Sequence, residues 1–152
     1  MMESMSHLTL PPAIPAERLE IEGRSGRLSY YVAGQGAPLL LLHSINAAGS
    51  AREVRPAFEH AQRSRRVYAP DLPGYGFSDR SPRRYDIPLF CDAIRDLLAV
   101  IAADHGKQPV DALGLSLSAE FLARVAADEP ARFRYFLERT FGSKSVDEGL
   151  VD

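Results

Sequence analysis

The sequence has little cysteine and no long apolar run, and these two shortages exclude several classes of protein. Cys91 is the single cysteine, so the chain holds neither an internal disulfide nor a cysteine-based metal site. The longest apolar run is too short to cross a bilayer, so we expect no membrane partner. No basic stretch followed by an apolar one opens the chain, so we expect no signal peptide and a cytoplasmic protein.

Charge of either sign is also not in excess. The chain has 18 Lys and Arg residues against 20 Asp and Glu residues, a net charge of −2. This balance provides no basic surface for nucleic acid and no acidic tail. Hydrophobic residues make up 45% of the 152 residues, a share typical of one globular domain with a real core.

Near the N-terminus, apolar and polar residues alternate over two neighbouring segments, which predicts a β-hairpin. The alternation covers residues 19–22 and 28–32, and Gly23-Arg24-Ser25-Gly26 supplies a four-residue turn. Residues 1–16, ahead of the hairpin, are polar and contain three prolines. We expect them to form a loose lead-in.

From residue 39 onwards, short apolar segments alternate with helical patterns, which predicts parallel strands joined by helices. The expected order is a strand at 39–42, a helix at 51–62, a strand at 67–69, a helix from Asp86 to Gly106, a strand at 110–113 and a helix at 118–128. Four leucines fill the first of these strands, and a strand without a polar face is typical of a sheet covered on both sides. The fold class is therefore α/β, with an N-terminal hairpin, parallel strands and flanking helices.

Three unusual loops follow the predicted parallel strands, at the carboxyl ends where such sheets bind ligands. Their sequences are HSIN at 43–46, DLPGYGFS at 71–78 and GLSLS at 114–118. In the third loop a strand leads directly into a helix, so Ser116 would lie on a strained turn with its hydroxyl outward. The alternative is that Ser116 merely caps the helix.

Together the three loops resemble those of the α/β-hydrolase family. That family has a histidine-led loop, then the pattern D-x-P-G-x-G-x-S, then the elbow G-x-S-x-G. Residues 71–78 match the second element completely, and residues 130–133 are similar to the usual end of the helix after the elbow. The resemblance spans residues 17–133 and implies a partial α/β-hydrolase sheet.

The resemblance implies a serine-hydrolase site. Ser116 matches the nucleophile, and the N–H groups of Ile45 and Leu117 match the oxyanion hole. His43 supports the oxyanion loop, with a role as base as the alternative. Such a site acts on a small-molecule ester or related acyl substrate and needs no metal and no organic cofactor. Dehalogenases of this fold have an aspartate at the elbow, so Ser116 argues against that activity.

Two serines stand where the family pattern has glycine. Ser118 replaces the second glycine of the elbow motif, where a small residue lets the helix pack close to a strand. We expect this serine to be tolerated and to crowd the elbow slightly. Ser44 replaces the glycine after His43 and changes the oxyanion loop.

The largest departure from the family lies after the elbow. Residues 117–152 contain no histidine, whereas the family places its acid and its histidine after later strands. The pattern at 134–139 resembles part of a lid helix, so we expect residues 134–152 to form a lid-like helical tail. The chain then resembles a truncated hydrolase that is weakly active or inactive.

This departure leaves a second functional hypothesis open. Without later strands, the strand at 110–113 would be an edge strand, and its unpaired backbone groups invite pairing with another chain. The alternative to an esterase-like enzyme is therefore a non-catalytic fragment that self-associates through an open sheet edge.

Overall fold

One mixed sheet of six strands organises the chain in the computed structural model, which describes residues 11–47 and 49–139, the side chains of 135–139 excepted. The strand order is β1-β2-β4-β3-β5-β6. The strands are β1 (Glu17–Gly23), β2 (Gly26–Ala33), β3 (Ala37–Leu42), β4 (Arg65–Pro70), β5 (Val110–Leu115) and β6 (Phe133–Arg139). The α-helices are α1 (Arg55–Ala61), α2 (Ile87–His105) and α3 (Leu117–Asp128).

The predicted hairpin is confirmed, with a tighter turn than expected. β1 and β2 pair antiparallel, and Gly23 lies opposite Gly26, so only two residues form the loop. Asp96 of α2 accepts hydrogen bonds from both loop amides and from the Ser25 hydroxyl. A Cβ at Gly23 would collide with the Asp96 carboxylate, which explains the glycine.

The predicted leucine strand lies in the middle of the sheet. β3 is parallel to both of its neighbours, β4 on one side and β5 on the other. Leu40 and Leu42 pack in the core beneath α2 and α3, whereas Leu41 packs on the opposite face with α1. The expectation of a strand covered on both sides is therefore confirmed.

The helices begin and end near the predicted residues. The segment predicted at 51–62 is a 3₁₀ turn (Ala51–Val54) that continues into α1. Asp86 caps α2, because its Oδ1 accepts the Leu89 N–H at 3.1 Å. Gly106 ends that helix with a φ of 79°. Within the described part of the chain, no helix is both long and apolar enough to cross a bilayer.

The helical tail predicted from residue 134 is wrong for its described part. Residues 133–139 form β6, which pairs parallel with β5, so β5 is an interior strand and β6 is the edge. The physical reason is that the outer backbone groups of β5 need partners and that aromatic residues favour strands. Asp111 of β5 also binds the guanidinium of Arg134 at 2.7 Å. Residues 140–152 lie outside the described residues.

The predicted lead-in is held against the sheet at its described end. Ile14 is only 1% exposed and packs in the core on the α1 face. The Ala13 N–H donates to the Tyr31 hydroxyl at 2.8 Å. Residues 1–10 lie outside the described residues.

Candidate functional site

The three unusual loops meet at one edge of the sheet, as predicted. β4, β3 and β5 are consecutive neighbours and run parallel, so their carboxyl ends lie side by side. The loop after β3 begins at His43, the loop after β4 at Asp71, and the turn after β5 at Ser116. We refer to these below as the first loop (residues 43–46), the second loop (71–78) and the elbow (114–118).

Ser116 lies at the tip of a sharp strand-to-helix turn. Its φ of 56° and ψ of −126° put it in a region that L-amino acids rarely adopt. No other non-glycine residue of the described chain has a positive φ. The Ser116 side chain makes no capping hydrogen bond to α3, so the capping alternative is wrong. The residue is exposed, and its hydroxyl is not used to hold the helix.

The packing behind the elbow explains why this turn is possible. A Cβ at Gly114 would lie 2.9 Å from the Cα of Ala119, so the missing side chain lets α3 pack against β5. Leu117 is the first residue of α3 and is 43% exposed. The N–H groups of a helix's first turn have no intrahelical acceptor and lie at its positive end. The Leu117 amide therefore has the properties of an oxyanion donor.

His43 holds the first loop to the second one. Its Nε2 accepts the Leu72 N–H at 2.9 Å, so Nδ1 carries the proton and donates to the Ser44 carbonyl at 2.7 Å. Burial lowers the pKa of His43, which favours this neutral form. Both ring nitrogens bind backbone groups, so the geometry favours the supporting role over a role as base.

Ser44 and Glu53 fix the middle of the first loop. The Ser44 N–H donates to Glu53 Oε1 at 3.0 Å, and its hydroxyl donates to the same carboxylate at 2.7 Å. Asn46 Nδ2 lies 2.6 Å from the Ser44 hydroxyl oxygen. The Ser44 amide is thus occupied, which leaves the next amide, that of Ile45, as the oxyanion candidate on this loop. The Ile45 side chain packs on the core beneath α2 and α3.

Ser118 links the elbow to the first loop. Its side chain is fully buried, and its hydroxyl donates a hydrogen bond to the His43 carbonyl. The serine in place of glycine therefore adds a contact across the site, beyond the expected slight crowding.

The second loop is shaped around the buried carboxylate of Asp71. Asp71 accepts the N–H of Ala51 at 3.2 Å and that of Phe77 at 3.1 Å. Burial raises the pKa of Asp71, and the two amides oppose that shift. A Cβ at Gly76 would collide with this carboxylate, and the Ser78 hydroxyl donates to the Asp71 carbonyl. The motif residues therefore have architectural roles that hold this loop beside His43.

The other described histidines lie away from the elbow. His105 ends α2, shortly before β5 begins, and its Nε2 is 2.9 Å from the Tyr68 hydroxyl. His60 is exposed near the end of α1, shortly before β4 begins. Both positions are at the amino edge of the sheet, opposite Ser116. His7 lies outside the described residues. Among the described residues, no His, Cys, Asp and Glu side chains cluster as metal ligands.

Comparison with protein families identifies the fold. The family model described as alpha/beta hydrolase fold matches residues 37–136, about two thirds of the chain. The chain belongs to the α/β-hydrolase fold family. The matched segment contains all three loops and the two central strands of the sheet, β3 and β4.

Solved structures share the fold of this α/β hydrolase. An epoxide hydrolase from Vigna radiata superposes with a TM-score of 0.69 at 21% identity, over 80% of this chain and 37% of that one. A meta-cleavage product hydrolase gives a TM-score of 0.68 at 21% identity, over 78% and 43%. An N-formylmaleamic acid deformylase from Pseudomonas putida gives 0.69 at 19% identity, over 85% and 52%.

Curated relatives of this α/β hydrolase include uncharacterized proteins of Mycobacterium bovis and Mycobacterium tuberculosis. Each is 30% identical over 97 residues, which is 62% of this chain and 27% of the relative. The chain thus spans about a quarter of the length of these relatives and half or less of most of the solved structures.

The motifs of this α/β hydrolase predict where the candidate site residues lie, but not the side chains that fix them. Ser116, Leu117, His43 and Ile45 all lie on the two elements that the motifs predict. Glu53 was missed, because nothing near it in the sequence marks it as a partner of the first loop. The one available signal was Ser44 itself, since a buried hydroxyl requires an acceptor.

Proposed function

We propose that this α/β hydrolase is a serine hydrolase that acts on an ester or related acyl substrate, with Ser116 as nucleophile. The observation that supports the proposal is the left-handed backbone of Ser116 at the carboxyl edge of the sheet. A residue that is held in a strained backbone conformation, and whose hydroxyl does not cap the helix, is typical of a catalytic position.

In the proposed reaction, Ser116 Oγ attacks the substrate carbonyl carbon and loses its proton to a base. The carbonyl π electrons move onto oxygen, and the N–H groups of Ile45 and Leu117 donate to this oxyanion. When the oxyanion collapses, the bond to the leaving group breaks and the leaving group takes the proton from the base. Water then hydrolyses the acyl-serine that remains, which releases the acid and regenerates the Ser116 hydroxyl. Donors of this kind contribute about 3–4 kcal/mol each to the transition state.

The proposed reaction needs a base, and no histidine of the described residues offers a free ring nitrogen at the elbow. Residues 117–152 contain no histidine, and the ring nitrogens of His43 bind backbone groups. Removing the base of a serine protease lowers turnover by about 10⁶-fold. We therefore expect this chain alone to hydrolyse activated esters only at trace rates.

The substrate class rests on the nucleophile. A serine nucleophile suits a carbonyl substrate, and the deformylase among the structural neighbours is named for removal of a formyl group. We propose a small-molecule ester or acyl compound. A cytoplasmic location stays a prediction from the sequence.

The test is turnover of p-nitrophenyl acetate by the full chain and by Ser116→Ala, with Ser64→Ala as a control at another exposed serine. We expect trace hydrolysis, far below about 1 s⁻¹, with an acetyl adduct on Ser116 that the Ser116→Ala variant lacks. Equal rates in all three proteins and no adduct would contradict the proposal. Turnover near 1 s⁻¹ that vanishes in Ser116→Ala would instead reveal a base, and His43→Ala would be the next variant.

A second candidate function is protein pairing without catalysis. β6 ends the described sheet, and its outer edge has no partner strand among the described residues. Open edges pair readily with other chains, so we propose self-association of this chain through β6. Sedimentation velocity at about 100 μM should show concentration-dependent oligomers, and a monodisperse monomer with one cooperative unfolding transition would contradict this candidate.

A further inference from the structure

We propose that Ser118 is a positioning residue that sets the spacing between the two oxyanion donors. This inference rests on the proposed function, because it assigns a role within the same site. Ser118 stands where the family pattern has glycine, and its hydroxyl reaches from α3 to the carbonyl of His43. The resulting bond connects the element that carries Leu117 to the loop that carries Ile45.

The bond spans a short path between the two donors. Ser118 directly follows Leu117, and the His43 carbonyl belongs to the peptide bond that precedes Ser44, one residue before Ile45. The backbone between each donor and its end of the bond is therefore too short to absorb much movement. A change in the Ser118 bond has to alter the position of the Ile45 amide relative to that of Leu117.

Because the Ser118 bond is buried, its loss leaves the His43 carbonyl without a hydrogen-bond donor. Ser118 and His43 are both 0% exposed, so bulk water does not reach the His43 carbonyl in the folded chain. A buried carbonyl without a donor is unfavourable, so we expect the first loop to shift until the His43 carbonyl meets another donor. Glycine at this position leaves the carbonyl in the same situation.

Two further anchors hold the first loop, but neither of them involves the elbow. Glu53 binds the Ser44 amide and hydroxyl from the 3₁₀ turn, and the Leu72 amide binds the His43 ring from the second loop. These contacts keep the loop folded when the Ser118 hydroxyl is absent. The Ser118 bond differs because it fixes the loop relative to α3.

The consequence for reactivity follows from how sensitive oxyanion stabilisation is to geometry. Loss of one donor lowers turnover by about 10²–10³-fold, and a misplacement of about 1 Å has effects near the lower value. A loop that keeps the Glu53 and Leu72 anchors moves less than that. We expect Ser118→Ala to slow the acylation or phosphonylation of Ser116 about 10-fold.

The first measurement does not depend on activity. Residual dipolar couplings report the orientations of the Ile45 and Leu117 N–H bonds in the ¹⁵N-labelled full chain. We expect Ser118→Ala and Ser118→Gly to change the Ile45 coupling, while the Leu117 coupling keeps its wild-type value. Ser25→Ala is the matched control, because its buried hydroxyl donates to Asp96 of α2 and contacts neither the first loop nor the elbow. Unchanged Ile45 couplings in both Ser118 variants would overturn the proposal.

The second measurement is the rate at which a fluorophosphonate modifies Ser116. We expect a rate about 10-fold lower in Ser118→Ala and an unchanged rate in Ser25→Ala. If the couplings shift but the rate does not, Ser118 has no positioning role in the reaction and the proposal is wrong. If wild-type Ser116 never reacts, the proposed function fails, whereas the couplings still decide whether Ser118 positions the loop.

Discussion

Replacing Ser116 by glycine should stabilise the protein relative to Ser116→Ala, because the backbone at this position is strained. Both variants remove the hydroxyl, and the hydroxyl makes no capping bond. They differ only in the Cβ, which is the atom that makes a φ of 56° and a ψ of −126° unfavourable. The comparison therefore isolates the cost of the turn from the loss of the side chain.

The expected difference follows from two opposing effects. A non-glycine residue in such a region costs about 1–3 kcal/mol in the folded state. Glycine makes the unfolded chain more flexible, which offsets the gain by about 0.4–1 kcal/mol. Ser116→Gly should thus exceed Ser116→Ala by roughly 0.5–2 kcal/mol in free energy of unfolding. For a domain of this size, each kcal/mol corresponds to about 2–4 °C in Tm.

The assay is equilibrium unfolding in urea, followed by far-UV circular dichroism and by tyrosine fluorescence, since the chain has six tyrosines and no tryptophan. The same pair of substitutions at Ser64 is the control, because its backbone is not in the positive-φ region. There, glycine should be less stable than alanine. A Ser116→Gly variant that is no more stable than Ser116→Ala would refute the idea that the elbow stores strain.

Two further predictions concern the loops beside the elbow. Burial lowers the pKa of His43, so as the pH falls the unfolded chain is protonated at this residue before the folded chain is. The free energy of unfolding should therefore decrease as the pH drops below about 6.5, by up to about 1.4 kcal/mol per pH unit. The free energy of unfolding in urea, measured from pH 7.5 to 5.5, should lack this pH dependence in His43→Gln and keep it in His60→Gln. Burial raises the pKa of Asp71, so that residue adds a pH dependence of opposite sign at lower pH. Gly106→Ala, with open space around the Cβ, should cost about 1–2 kcal/mol because of its positive φ alone. Gly76→Ala should cost at least about 1 kcal/mol more, because its Cβ also meets the Asp71 carboxylate. Similar losses at both glycines would contradict that account of the second loop.

The elements that the sequence predicted well carry their own local signals. β1 alternates apolar and polar residues, α2 has an aspartate cap and a terminal glycine, and the leucine strand is uniformly apolar. Each of these patterns favours one structure before any tertiary contact forms. The D-x-P-G-x-G-x-S motif likewise predicts its loop, since Gly76 is required by a contact only five residues away in sequence.

The missed features depend on tertiary neighbours. Residues 133–139 become a strand because β5 offers a free edge, and helical and strand patterns are hard to distinguish over so few residues. The partners of the first loop, Glu53 and Ser118, are 9 and 75 residues away from the groups that they bind. No pattern in the sequence specifies such pairs, and they are the contacts that fix the geometry of the site.

The central claim is that Ser116 is the reactive nucleophile of this α/β hydrolase. Its most direct test is prolonged incubation of the full chain with a fluorophosphonate, followed by peptide mapping by mass spectrometry. The account predicts slow modification at Ser116, because both ring nitrogens of His43 bind backbone groups and no histidine follows the elbow in the sequence. It predicts no modification of Ser64, which is another exposed serine. Modification of other serines or tyrosines at the same or a higher rate than Ser116 would contradict the claim.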